Sequence, residues 1–302
     1  TFYSKKNTLP IIIKGSDYTK PINYNEMRGS AQCKSAVMLA ALFTDGVTKL
    51  KCKPSRNHTE LLFKYLKIPI KVKKIKKFDH IKVWGKKNFK SFNYNLPGDI
   101  SSSAFFIALT LLSKKSSLKI KNVNINPSRT GVITILNLMG AKIKLNNKKI
   151  YKGEKVADII VKSSKKLKAI KCPTKLNSSA IDEFLIIFLI AAKAKGVSYF
   201  NKIEELNQKE SKRLNLASKI LNMIGIKTEL TNSSIKIYGQ PKLELTKNYV
   251  VKDYLKDHRI FMMSTIAALT MGGSWNIKDP DSIKSSFPSF LKLIKLIGGK
   301  IN

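Results

Sequence analysis

The segment "NQKESKRL", residues 207–214, sets one carboxylate, Glu210, between Lys209 on one side and Lys212 and Arg213 on the other. On a helix, residues 210 and 213 would lie one turn apart and could share a face. Two readings fit this grouping. A solvated helix can carry it for solubility alone. An enzyme that grips a polyanion and moves a proton needs the same mixture, cations for the anion and a carboxylate for the proton. Asp182 poses a similar choice at the head of "IDEFLIIFLIAA", the most apolar run in the chain. An acid in a first helical turn is favoured by the helix dipole. A carboxylate at the edge of a buried helix can also be tuned for proton transfer. The chain shows no His/Cys/Asp ligand cluster, no Walker loop and no GxGxxG.

Four segments of helical length must position such residues: "SAVMLAALF" (35–43), "SSAFFIALTLL" (102–112), "AIDEFLIIFLIAA" (180–192) and "RIFMMSTIAAL" (259–269). They are apolar almost all round, which predicts buried helices. Each is followed by a short turn and a strand-like stretch, such as "GVTKLKC" or "GVSYFNKI". Amphipathic helical segments alternate with them. Three of these end alike, "ILNLMGAKIKL", "ILNMIGIKTEL" and "LIKLIGGKIN", with Gly140, Gly225 and Gly298 as the expected helix stops. "LFKYLKIPIKV" (62–72) is a weaker fourth copy. The period is roughly 70–85 residues, room for two helices and several strands. Stretches such as "SLKIKNVNI" alternate apolar residues with Lys or Asn, the mark of sheets with one wet face. Sheets outside and helices packed within are the predicted architecture. Pro97-Gly98 is the predicted domain boundary, with one repeat before it and three after it.

The 302 residues suffice for two domains with sizeable cores, and 43% hydrophobic content marks a globular chain. No apolar run is long enough to span a bilayer as a helix, so no membrane partner is expected. Three cysteines, widely spaced and without CxxC, point to a reducing, cytoplasmic setting. A formal charge of +38 would suit a nucleic-acid binder. Against that, only five of the 57 basic residues are Arg, and the lysines are spread along the whole chain. That distribution describes a solvated lysine-rich surface better than a nucleic-acid footprint, and still attracts small anions.

The motifs "GSAQCKSAVMLAAL", "SRNHTE", "LPGDISSSAFF", "NPSRTG", "IDEF", "EELNQKESKRL", "KDHRIFM" and "SFPSF" occur in an order and spacing that resemble the 5-enolpyruvylshikimate-3-phosphate synthase family, from about residue 9 to the C-terminus. The resemblance implies an α/β fold of repeated βαβαββ units in two inside-out domains, with helices inside and sheets outside. The family has three units per domain, whereas four are counted here. The expected division is therefore an incomplete first domain, 1–97, and a three-unit domain, 98–302. The first two units, with their substrate-binding residues, are expected to lie upstream, so the 302 residues alone are expected to bind substrates weakly and turn over slowly.

The implied reaction moves the enolpyruvyl group of phosphoenolpyruvate to the 5-hydroxyl of shikimate 3-phosphate and releases phosphate, without metal or cofactor, in a monomeric enzyme. By resemblance Asp182 is the base for the 5-hydroxyl, and Glu210 works at the methylene carbon. The resemblance gives Ser30, Ala31, Gln32, Ser55, Asp182 and Lys209 to shikimate 3-phosphate, and Gln32, Arg213, Arg259 and Lys284 to phosphoenolpyruvate. Lys284 sits one place away from the matching position. Ser30–Gln32 would present hydroxyl, amide and main-chain N–H groups at a helix start, which suits an anion. Each residue also has a structural reading: Ser55 as an N-cap, Arg259 as a partner of Asp257, His258 as a packed or capping histidine. Asp99 and Ser101 read as caps, Arg56 and Arg129 as structural pairs, and Glu183 points away from the site. The family often has Asp where this chain has Lys212, which would leave Arg213 less well oriented. Two alternatives stand beside this reading. UDP-N-acetylglucosamine enolpyruvyl transferase shares the repeats but uses a loop cysteine. A basic nucleic-acid-binding protein would show interleaved aromatics on a basic stripe.

Overall fold

The computed structural model describes residues 2–3, 10–16, 18–85, 88–164 and 166–301. The chain divides into two units, Thr1–Tyr94 with Lys152–Glu154, and Asn95–Tyr151 with Lys155–Asn302.

In the first unit a short antiparallel pair, β1 (Phe2–Tyr3) and β2 (Ile12–Ile13), precedes one complete repeat. That repeat runs β3 (Asn23–Glu26), α1 (Ala31–Ala41), β4 (Val47–Cys52), α2 (His58–Tyr65), β5 (Ile70–Ile75), β6 (Phe78–Trp84). The sheet order is β3-β4-β6-β5, with β3 and β4 parallel and the other pairs antiparallel. A parallel pair needs a crossover, and α1 supplies it. The expectation that 35–43 is buried all round is not met. Of α1 only Lys34, Met38 and Ala41 are buried, Leu39 is half exposed, and Phe43 beyond it is 73% exposed. The reason is geometric: within this unit α1 has the sheet on one side, where Met38 and Ala41 join Leu50, Cys52, Phe63, Ile68, Ile81 and Val83.

The second unit repeats the plan three times. The first copy holds α3 (Ile100–Leu112), β7 (Ser117–Asn124), α4 (Gly131–Leu138), β8 (Ile143–Tyr151) and β9 (Glu154–Lys162), in sheet order β7-β9-β8. Gly98 makes a parallel bridge to Val123, in the place of a first strand. The second copy holds α5 (Asn177–Ala180), α6 (Phe184–Ala192), β10 (Gly196–Asn201), α7 (Arg213–Met223), β11 (Thr228–Leu230) and β12 (Ser234–Gly239), in order β10-β12-β11. Lys168 and Lys171 bridge in parallel to Lys195 and Tyr199. The last copy pairs β13 (Leu245–Val251) in parallel with β14 (Gly272–Ile277) across α8 (His258–Met271), and ends in α9 (Phe290–Leu296).

Helices α3, α6 and α8 touch one another at the centre of this unit. All nine residues of α6 are buried, and Phe184, Phe188 and Phe200 pack ring to ring. The lysines of β7 face outward, as the alternation predicts. The amphipathic helices end as expected, with Gly140, Gly225 and Gly298 at φ of 91°, 83° and 95°. In the first unit the equivalent residue after α2 is Lys67, held at φ 57° without the freedom of glycine.

Candidate active site

Asp182, Arg213 and Arg259 stand where three helices of the second unit begin. Asp182 lies in the turn 181–183 ahead of α6, Arg213 is the first residue of α7, and Arg259 is the second of α8. The buried helices bring these starts together. Asp182 is the focus. Lys209 Nζ is 3.7 Å and Arg213 Nη1 3.9 Å from its Oδ1, and Arg259 Nη2 is 4.0 Å from its Oδ2. Arg259 also donates from Nη1 to the Asp182 main-chain oxygen at 2.8 Å, which fixes the backbone as well as the side chain.

Arg213 is the most enclosed of the cations, 1% exposed. Its Nε donates to Asp257 Oδ2 at 2.9 Å, and its Nη2 to Glu210 Oε2 at 2.5 Å. Asp257 is itself buried. It caps α8 by accepting from the Arg259 main-chain N–H at 2.9 Å, and it accepts from Ser211 Oγ at 2.8 Å. Burial works to raise the Asp257 pKa, but the hydrogen bonds and charge of Arg213, with those of Ser211, hold it below the usual carboxylate value. The predicted pairing of Asp257 with the Arg259 side chain is therefore corrected: the carboxylate takes Arg259's backbone and Arg213's guanidinium. Glu210 is not on the helix that begins at Arg213. It sits in the bend before it, its side chain 59% exposed, and still reaches Arg213. Lys212 is exposed and makes no side-chain cap, so Arg213 takes its orientation from Asp257 and Glu210. Lys209 pairs with Glu205 at 2.8 Å as well as facing Asp182.

Other predicted residues fall elsewhere. Lys284 lies in a short 3-10 turn, 72% exposed in its side chain and paired with Asp281 at 2.8 Å. The structure does not bring it to the cluster, as the one-residue offset foreshadows. Ser30, Ala31, Gln32 and Ser55 belong to the first unit. Ser30 is the N-cap of α1, accepting from the Cys33 N–H at 3.2 Å, and Ala31 and Gln32 open that helix. Ser55 is not an N-cap, because Asn57 holds that place before α2; its Oγ is buried with no hydrogen-bond partner. Among the described residues no group of three His, Cys, Asp or Glu could hold a metal ion.

Sequence reasoning passed over Ser211 and took Glu183 as pointing away from the site. Glu183 is enclosed, and the charges of Arg259 and Arg129 both act on it. Ser101 Oγ donates to its Oε1, and Arg129 Nη2 donates to Ser101 Oγ at 2.7 Å. Burial pushes the Glu183 pKa up, against Arg259 and the Ser101 hydrogen bond. Asp99 is the N-cap of α3, as expected, accepting from the Ser102 N–H at 2.9 Å. Ser101 is inside that helix rather than a cap. His258 opens α8, and burial with the charge of Arg259 lowers its pKa. The adjacent apolar run was the one signal that residue 183, too, is withdrawn from water.

A profile of the EPSP synthase (3-phosphoshikimate 1-carboxyvinyltransferase) family matches residues 2–294. The 3-phosphoshikimate 1-carboxyvinyltransferase of Ruthia magnifica is 40% identical over 99% of this chain, and that of Hydrogenovibrio crunogenus 38% identical over 95%. The chain spans 67% and 62% of those two relatives. A solved EPSP synthase from Acinetobacter baumannii superposes with a TM-score of 0.88 at 34% identity, covering all of this chain and 68% of that one. The enolpyruvyl transferase NikO from Streptomyces tendae shares the fold, with a TM-score of 0.71 at 16% identity over 95% of this chain and 66% of its own. No helix among the described residues is long and apolar enough to cross a membrane. The chain belongs to the EPSP synthase (3-phosphoshikimate 1-carboxyvinyltransferase) family, the enolpyruvyl transferases of the shikimate pathway.

Proposed function

We propose that the cluster around Asp182 carries the proton transfers and part of the anion binding in enolpyruvyl transfer from phosphoenolpyruvate to shikimate 3-phosphate, in a monomeric, cytoplasmic enzyme. The observation that supports it most is the convergence of Lys209, Arg213 and Arg259 on one carboxylate. Arg213 and Arg259 present planar forks suited to a carboxylate or phosphate, and Lys209 a compact charge for the second substrate. Helix starts add positive potential at the same place. Asp182 accepts the proton of the 5-hydroxyl as its oxygen bonds to C2 of phosphoenolpyruvate, and Glu210 delivers a proton to the methylene carbon. In the tetrahedral adduct the bond from C2 to the phosphate oxygen breaks. Phosphate leaves with the proton that Asp182 holds, which restores the base, and Glu210 takes a proton back from the methyl carbon. Exposed Glu210 is free to change partner, whereas Asp257 keeps Arg213 fixed from behind. Ser30, Ala31, Gln32 and Ser55, all in the first unit, offer groups that suit shikimate 3-phosphate, and the division at 97/98 separates the one-repeat part from the three-repeat part.

The test is Asp182→Asn, which is nearly isosteric but cannot take a proton. Phosphate release should fall by about 100-fold or more, the usual worth of a general base. Calorimetry on the same preparations should find both substrates bound within about threefold of the parent chain, so that even a slow parent rate gives a usable ratio. An unchanged rate removes Asp182 from the chemistry.

A further inference from the structure

The cluster explains what holds Asp182 from the side of the cations. It does not explain what holds the turn behind it. Asp182 has no helix of its own: it lies in the turn 181–183, and α6 begins at Phe184. A carboxylate that must meet a substrate hydroxyl within tenths of an ångström cannot rest on a loose turn.

The next residue supplies the anchor. Glu183 is buried, 3% exposed, like Arg213 and Asp257 of the cluster. Its Oε1 accepts from Ser101 Oγ in α3. Ser101 in turn accepts from Arg129 Nη2 at 2.7 Å. The same Nη2 lies 2.7 Å from Asp99 Oδ1, off the hydrogen-bond axis, so that this pair is joined by charge rather than by an aligned bond. Asp99 is fixed as the cap of α3. The Glu183 main chain is tied as well: its N–H donates to the Ala180 oxygen at 2.9 Å, and its oxygen accepts from Ile186 and Ile187. Arg259 holds the preceding carbonyl, that of Asp182. The peptide joining 182 to 183 is therefore held at its carbonyl by Arg259 of α8 and at its N–H by Ala180, while α3 holds the Glu183 side chain.

We propose that Glu183 is a positioning residue for Asp182, its side chain anchored through Ser101 to Arg129 and Asp99 so that the 181–183 turn presents the Asp182 carboxylate to the cations and the substrate hydroxyl. This rests on Asp182 being the base. Burial and the neighbouring Asp182 work to raise the Glu183 pKa, against Arg259, Arg129 and the Ser101 hydrogen bond. What Ser101 needs from Glu183 is an acceptor oxygen, which a carboxamide also offers.

Three variants decide it. Glu183→Ala removes the anchor and should lower kcat about 100-fold, the scale of a 1 Å misplacement, with KM for both substrates within about twofold. Glu183→Gln keeps the acceptor and should restore kcat to within about threefold of the parent. Ser101→Ala should lower kcat with unchanged KM, as Glu183→Ala does, and is the milder change if the Ala variant at 183 fails to fold. Hydrogen exchange gives a readout independent of rate. In Ser101→Ala the Glu183 amide should exchange at least tenfold faster, while the Ile226 amide, bonded to Leu221 on α7, stays as it was. Three results would overturn the proposal: Ser101→Ala with parental kcat and parental exchange at 183, Glu183→Ala folded with parental kcat, or Glu183→Gln as slow as Glu183→Ala. If Asp182→Asn keeps its rate in the same assay, the base assignment fails instead, and the exchange result still reports whether the turn is anchored.

Discussion

Replacing Asp257 by Asn should destabilise the second unit more than any other single loss of charge in the site. The carboxylate is 1% exposed, and its strongest partner, Arg213, is equally enclosed. Asn keeps the size and the capping ability of Asp, so the α8 cap survives and the charge alone is removed. The arginine stays charged, because its proton cannot be shed, and is left with Glu210 at the solvent edge and Asp182 at 3.9 Å. Breaking a buried pair from one side costs about 3–5 kcal/mol. Asp257→Ala removes the cap as well, about 1 kcal/mol more. For a unit of this size each kcal/mol lowers Tm by about 2–4 °C, so Asp257→Asn should melt about 6–20 °C early. The pH dependence has a fixed sign. The folded pKa of Asp257 is depressed, so its contribution is complete above the unfolded value, about 3.9, and is lost as pH falls through the lower folded value. The variant should therefore lose stability less steeply than the parent on acidification below about pH 4. Urea denaturation across that range, followed by circular dichroism, measures both effects. An unfolding free energy within about 0.5 kcal/mol of the parent at pH 7 would show that Asp257 does not carry the buried guanidinium, since changes that small are typical of indifferent surface positions.

Three further outcomes are expected. Lys67→Gly, at the position where the other three repeats have glycine, relieves a φ of 57° and should raise stability by about 1 kcal/mol in urea titration; a loss would mean that the lysine side chain matters more than its backbone. Glu210→Gln weakens the hold on Arg213 Nη2 and should tighten phosphoenolpyruvate binding in calorimetry while slowing phosphate release, so that weaker binding would contradict the idea of Glu210 as a movable partner. Gly239→Ala places a Cβ 2.1 Å from the Ala194 oxygen and 2.6 Å from that of Ala191, at the end of α6, and should cost about 3 kcal/mol in thermal melts; a neutral result would show that this helix end gives way freely.

The repeats were readable in the sequence because each level carries the same signal. Apolar segments mark α3, α6 and α8, and glycines 140, 225 and 298 mark the stops of α4, α7 and α9, each in the left-handed region. Alternation in "SLKIKNVNI" marks β7 with its lysines outward. The failure at α1 has the same root. Apolar composition reports that a helix seeks cover, not whether its own unit provides it, and Leu39 and Phe43 stay exposed here. The cluster was legible as residue types, since Asp182, Lys209, Arg213 and Arg259 do meet. The partners were not legible. Asp257 to Arg213 and Ser101 to Glu183 are separated by 44 and 82 positions, and such pairings arise only once buried helices set their starts side by side. Local reasoning assigned Asp257 to its neighbour Arg259 because spacing along the chain was all it could weigh.

The recurrent strand order has a kinetic consequence. In the first unit's repeat the two parallel strands are laid side by side across one helix, and the two antiparallel strands close the edge from residues just downstream; in the next two copies an isolated parallel bridge stands in for the first strand. Among the described residues every strand pairing is thus made between stretches close in the chain, within one repeat. Search distances during folding are set by the length of one motif instead of the whole polypeptide, which favours rapid sheet formation. The slow event is then the meeting of α3, α6 and α8, a late consolidation shared by all three copies and the step at which the Asp182 carboxylate first acquires its neighbours.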